Sequence, residues 1–309
     1  MHPAFSVLIF TVTSGAGYGL LAWLGAGQML GFTQTYTIGL QLTLGVMAMV
    51  LITIGLFSST MHLANPKNAW RSFSRFRTSW LSREAVFAVL LYPIASVYAA
   101  AILWQWPMIN LWAGLSMAFA LIILFTTSMI YASLKTIRQW NTPMVPALFM
   151  AYALMSGGLL FVAVSGFFGV LNPQLLIVVM ALVVITLALK MVYFFWQGKP
   201  TGATIQTATG FSQASVRLLD AGHSAPTFLN REFGYQVAAD FLLRLRIVMT
   251  FTVFMLPLVL LYWVFNSPEI VEVLVGAWAI MMAGLLLERW LFFAEARHVV
   301  RLYQGDQRT

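Results

Sequence analysis

The sequence predicts an all-α, polytopic membrane protein: an eight-transmembrane-helix bundle forming a single integral membrane domain, residues 1–309. Three observations carry this. Hydrophobic residues make up 61% of the chain and charged residues 8%, with a mean hydropathy of +0.85; a soluble protein of this length exposes far more charge. Apolar runs of about 20 residues, the length that crosses a bilayer, recur eight times. The connections between them alternate between short turns without Lys or Arg and longer basic segments.

The first run, Ala4–Leu30, starts at once, lacks a basic leading region and is too long for a signal core, so it reads as a retained span. Its stretch SGAGYGLLAWLGAG supplies small residues for close helix contact. No strand precedes it and no Lys-Ser/Thr pair follows, as a phosphate loop would require. Thr37–Met61, Ala85–Gln105, Asn110–Leu134, Val145–Val170, Gln174–Phe195, Ile247–Phe265 and Ile270–Ala294 follow as the remaining spans. Gly31–Tyr36, Trp106–Ile109, Leu171–Pro173 and Asn266–Glu269 are the short turns without Lys or Arg. The other connections hold nearly all the positive charge: Lys67 to Arg83, Lys135 and Arg138, Lys199 to Arg246, and the tail from Arg297 to Arg308. The positive-inside rule places these, and with them both termini, in the cytoplasm. The long connection, residues 197–240, is a cytoplasmic loop rich in Gly, Ser, Thr and Ala and is expected to order against a partner. Net charge is +8. In a membrane protein such an excess sits in flanking loops, so it does not point to nucleic acid; the bilayer is the expected partner. The chain has no Cys, which excludes disulfides, thiolate catalysis and Cys-ligated iron–sulfur or zinc sites on this chain.

Charge concentrates in Ser58–Glu84, between the second and third runs. This stretch holds one of the four histidines, one of the nine acidic residues and five of the 17 basic residues: Lys67, Arg71, Arg75, Arg77 and Arg83. Asn65-Pro66 reads as an N-cap and first helical position. From there an α-helical period puts Lys67, Arg71 and Arg75 on one face and Trp70, Phe73 and Phe76 on the other. That is a short helix lying in the membrane interface, a candidate docking face for an acidic partner or for anionic headgroups. His62 and Glu84 flank the loop, so both are expected near the same membrane surface.

Ionisable groups inside spans are costly and are functional candidates by default. Here they are few: Glu84, Lys190 and the Glu288-Arg289 pair. A histidine beside a carboxylate can donate to a carbonyl and relay a proton. The plainer roles are a helix C-cap for His62, a helix N-terminal charge for Glu84 and a buried ion pair for Glu288-Arg289. A transmembrane b-type haem normally takes two axial ligands, often His, and only His62 lies near a span, so no haem and no metal are expected on this chain. A secondary transporter using Glu288-Arg289 as its coupling pair is a different class of reading; it calls for paired helix interruptions, which the sequence does not show.

The run Met61-His62-Leu63, Pro66, Ala69, Ser72, continuing into Leu81-Ser82-Arg83-Glu84, resembles the membrane-anchor subunits of the dimethyl sulfoxide reductase family. Glu288-Arg289-Trp290-Leu291-Phe292-Phe293 in the last span fits as well, and the likeness covers essentially the whole chain. It implies a bacterial inner-membrane anchor that binds quinone (ubiquinone or menaquinone) and carries no haem. It also implies a four-cluster iron–sulfur subunit and a molybdopterin catalytic subunit as partners. His62 and Glu84 match the family's histidine and glutamate implicated in quinol binding. Trp70, Phe73 and Arg77 are the further candidates for the quinone pocket, Glu288 and Arg289 form a second candidate region, and Lys67, Arg71 and Arg75 are candidates for docking. In the best-known reductases of the family the His/Glu side faces the periplasm, whereas here that loop is strongly basic. Within the family the chain is therefore most similar to anchors of cytoplasm-facing sulfite dehydrogenases, which pass electrons from sulfite to quinone. A quinol-oxidising reductase anchor is the alternative.

Overall fold

A computed structural model describes residues 3–61, 65–199, 202–211, 213–220, 225, 227, 233–235 and 237–309. Eight helices are long and apolar enough to cross a membrane: α1 Phe5–Leu30, α2 Ile38–Thr60, α3 Trp80–Trp104, α4 Ile109–Ala132, α5 Met144–Phe167, α6 Pro173–Gln197, α7 Ala239–Asn266 and α8 Val273–Ala294. The expected helical bundle is therefore present, with all eight spans close to their sequence positions. Among the described residues the only β pairings are two single antiparallel bridges.

Helices α1 and α5 form the centre. Their most hydrophobic windows are 72% and 78% buried, against 33–44% for the others. Helix α1 packs on α2, α4 and α5, and α5 packs on α4, α6 and α8. The small residues of α1 make this possible. A Cβ on Gly19 would lie 1.8 Å from the Ala153 carbonyl oxygen of α5, and one on Gly157 would lie 2.3 Å from Gly19. Gly17 turns to Ala48 of α2 and Gly25 to Ala113 of α4. Backbones thus touch directly, as small-residue interfaces allow in lipid, where packing substitutes for hydrophobic drive. Trp23 then donates from Nε1 to the Leu154 carbonyl at 2.9 Å.

Two boundaries differ from the expected ones. Helix α3 starts at Trp80, five residues before the apolar run, because Ser79 caps it and Arg83 folds back on the preceding turn. The Arg83 guanidinium donates to the Phe76 and Arg77 carbonyls at 3.1 and 2.8 Å and lies 4.2 Å over Trp80. Helix α7 starts at Ala239, eight residues before Ile247, because Arg244 and Arg246 extend it beyond the apolar stretch. Both α1 and α7 contain one π-helical segment, Phe10–Ser14 and Phe251–Met255.

The basic connections gather at one end of the bundle. The tail meets the α4–α5 connection through Val299 N–H to the Thr136 carbonyl and meets the long loop through Thr309 N–H to Ala203, both 3.1 Å or less. Within that loop Ile205–Thr209 is a short helix with a reciprocal Thr204–Thr207 capping box.

Candidate functional site

Starting at Trp80 places Glu84 on the second turn of α3 rather than at its first residue, and aims it into the bundle. The residue is 5% exposed. The Thr127 hydroxyl of α4 donates to it. That same hydroxyl is 2.9 Å from its own helix's Ile123 carbonyl, so its single proton has two acceptors to choose between. Among the described residues Glu84 makes no ion pair; Arg83 is spent on the turn and Arg77 is exposed. Tyr18 of α1 and Tyr131 of α4 lie within electrostatic reach of Glu84. The Tyr18 hydroxyl is buried without a hydrogen-bond partner among the described residues. An uncompensated buried carboxylate with an idle phenol nearby is the costly arrangement that a site for a polar ligand explains.

His62 lies outside the described residues, so its distance from Glu84 does not enter this geometry. The segment after it is a 3-10 helix over Pro66–Phe73, tighter than the α-helix expected. At three residues per turn Lys67, Trp70 and Phe73 align, while Arg71 falls on another side and Arg75 lies beyond the helix. The separation into cationic and aromatic faces is therefore not formed. Exposure of Trp70 and Phe73 is nonetheless high, at 65% and 44%, and Lys67, Arg71 and Arg75 are exposed with them. Arg71 stands 5.8 Å from the Trp70 ring. Aromatic packing closes over the start of α3 instead: Phe76 on Phe87, Phe87 on Phe119 and Trp80 on Phe125, all edge to face within 5.9 Å.

The second candidate region is larger than the sequence implies. Glu288 is fully buried, and both its oxygens accept: Oε1 from Lys190 Nζ of α6 at 2.6 Å, Oε2 from its neighbour Arg289 Nε at 2.5 Å. Two cations against one anion leave the cluster with a formal charge of +1. The Arg289 guanidinium is wrapped by aromatic faces, 4.3 Å from Phe149, 4.8 Å from Phe292 and 5.3 Å from Tyr152. Such faces attract a cation where water is absent. Sequence reasoning keeps Lys190 separate because its partner is 98 residues away.

A small cavity of about 30 Å³ lies between these regions, walled by Tyr18, Thr127, Tyr152, Ser156 and Arg289 beside the π segment of α1. A larger apolar cleft of about 370 Å³ opens between α2 and α3, lined by Gly45, Met49, Thr53, Ala95, Ser96 and Tyr98. Across it the Thr53 and Tyr92 hydroxyls bond at 2.8 Å. At the basic end Glu295 takes hydrogen bonds from Arg246 at 2.7 Å and Gln197 at 3.0 Å, beside a pocket of about 700 Å³ lined by Arg138, Arg297 and Arg308. His298 sits there too, 4.5 Å from the Phe233 ring; burial holds its imidazole below the usual value.

The DMSO reductase anchor subunit (DmsC) family model matches residues 1–294. The chain belongs to that family. As a DmsC-family anchor it is 33% identical to a sulfite dehydrogenase subunit of Allochromatium vinosum over 330 residues, covering 98% of both chains. It is also 26% identical over 118 residues to the anaerobic dimethyl sulfoxide reductase chain YnfH of Escherichia coli K12, covering 37% of this chain and 41% of that one. In this DmsC-family anchor Glu84, Thr127 and Tyr18 are all buried within the helical bundle.

Proposed function

We propose that this DmsC-family anchor binds quinone beside Glu84 and carries electrons between the quinone pool and an iron–sulfur subunit docked on the basic end. The complex is completed by a molybdopterin subunit. The observation that carries the reading is a buried carboxylate with a hydroxyl donor and no counter-ion among the described residues, the donor sharing a small cavity with an unpartnered phenol. The donor set suits a quinone head group, which needs polar groups at its carbonyls. Bound there, a quinone supplies two-electron, two-proton chemistry. Glu84 holds a proton at a carboxylate oxygen and delivers it to the head group, Thr127 orients that carboxylate, and His62 is the expected donor to the opposite carbonyl. Lys67, Arg71 and Arg75 face the partner.

The near full-length likeness to a sulfite dehydrogenase subunit supports a sulfite-oxidising complex with electrons flowing toward quinone. The charge rule favours a cytoplasmic basic end and cytoplasmic termini, which would put the docked subunits on that side of the inner membrane. The test uses the assembled complex with Glu84→Gln and His62→Ala. Binding of a quinone-analogue inhibitor is expected to weaken roughly 10- to 100-fold, the loss of a hydrogen bond to a buried carbonyl at about 1–3 kcal/mol. Activity with a soluble artificial acceptor stays intact. Normal inhibitor affinity in both variants would place the site elsewhere.

A further inference from the structure

The ion cluster of α6 and α8 is not explained by quinone binding at Glu84, yet the two are connected. Starting from Lys190, the cluster runs through Glu288, accepting at 2.6 Å, to Arg289, which lies 5.3 Å from the Tyr152 ring of α5; the Tyr152 hydroxyl is buried without a hydrogen-bond partner among the described residues. Tyr152 lines the small cavity, and so does Thr127, the donor to Glu84. At about 30 Å³ the cavity has room for one water molecule, and Tyr18, Tyr152, Ser156 and Arg289 offer it partners. Away from the cavity, Glu295 lies about two turns beyond Glu288 in the surface pocket of the basic end, where it accepts at 3.0 Å from Gln197, about two turns beyond Lys190 on α6. The helices concerned are α1, α3, α4, α5, α6 and α8, all contributing from the same ends. The polar groups therefore form one lateral seam in the basic half of the bundle and do not run its length.

We propose that this seam is a proton relay feeding Glu84: from Glu295 at the basic surface to Lys190 and Glu288, then through Tyr152, a water in the cavity and Thr127 to the Glu84 carboxylate. The inference rests on the reading of Glu84 as the group that hands a proton to quinone. Each transfer is balanced. When Glu84 gives up its proton, Thr127 passes one to the carboxylate and takes one from the cavity water. Tyr152 restores that water and is itself restored from the Glu288 carboxyl. Lys190 protonates Glu288 and recovers its proton from the surface, so the cluster's charge falls from +1 to 0 and returns. Arg289 keeps its charge throughout; held by three aromatic faces, it stays paired with Glu288. Threonine, tyrosine and water suit this role because each both donates and accepts. The arrangement draws protons from the side from which the basic loops project.

The experiment follows the proton itself, without quinone. In the purified complex, at a pH where Glu84 is protonated, its carboxyl band is identified in the infrared as the one lost in Glu84→Gln. Transfer to D₂O then gives the exchange rate of that proton. Tyr152→Phe removes one hydroxyl from the route and Thr127→Val another, each with little change in volume. Exchange at Glu84 is expected to slow at least ten-fold in both, and in Lys190→Met, while inhibitor binding stays within two-fold in Tyr152→Phe and Lys190→Met. Unchanged exchange in either Tyr152→Phe or Thr127→Val overturns the relay and means that water reaches Glu84 directly. Because this readout needs no quinone, it stands apart from the inhibitor test of the functional reading. A Glu84 that exchanges through Tyr152 but does not affect inhibitor binding sinks the quinone site and spares the relay.

Discussion

Gly19→Ala tests whether the bundle is built as described. Adding one methyl at this position sets it 1.8 Å from the Ala153 carbonyl oxygen and 2.5 Å from its carbon. Ordinary contact between such atoms is about 3.5 Å, so the α1 and α5 backbones must separate by well over an ångström. The obstruction is backbone, so no side chain can rotate away. Overpacking of a filled core costs about 1–3 kcal/mol, and this clash belongs at or above the top of that range. It also lies between the two most buried helices, so the displacement opens the Trp23–Leu154 hydrogen bond and loosens both halves together. Thermal unfolding in detergent, followed by tryptophan fluorescence, is the assay. Gly276→Ala on α8 is the control, since nothing lies within 4 Å of a Cβ there and alanine is favoured over glycine in a helix by about 1 kcal/mol. The expected order of melting temperature is Gly276→Ala at or above the parent and Gly19→Ala well below it. A Gly19→Ala protein that melts with the parent would refute the close α1–α5 crossing.

Two further outcomes are expected. Arg71→Glu with Arg75→Glu should release the peripheral subunits while the anchor stays inserted, read by co-purification at ordinary salt; retention of the full complex would mean that these cations serve lipid headgroups instead. Single-cysteine labelling at Asn68 and at the exposed Ala208 should occur only from the cytoplasmic side, and labelling from the periplasm at either would invert the topology and remove the case for cytoplasmic partners.

Spans and turns are legible in the sequence because a bilayer permits few solutions: apolar length gives the helices, and Lys/Arg placement gives their alternation. Boundaries move where polar residues extend a helix into the interface. Arg83 ties α3 to the turn before it, and Arg244 and Arg246 begin α7, and hydropathy registers neither. The interfacial segment misleads because an i, i+4 pattern of cations suggests an α-helix, while Pro66–Phe73 takes the 3-10 period. Glu84 stands out as a lone carboxylate beside an apolar run. Thr127 does not, since a threonine inside a span usually bonds back to its own helix, and only the approach of α3 gives it a second acceptor. Lys190 and Glu288 are each visible, but their pairing depends on which helices are neighbours, and no spacing encodes that. The sole hint is that single charges in separate spans need partners.

The central position of α1 has a consequence for how the protein is made. Of the eight spans α1 leaves the ribosome before the others, and the Leu154 carbonyl of α5 that receives Trp23 is 131 residues later. At about 5–20 residues per second, α1 waits on the order of ten seconds in the bilayer before α5 arrives. Its Thr11, Thr13 and Ser14 hydroxyls can endure that interval because they bond to the helix's own Val7, Ile9 and Phe10 carbonyls at 3.0, 2.8 and 2.6 Å. The glycine face of α1, with no polar side chain to satisfy, remains as a vacant seat until α5 fills it.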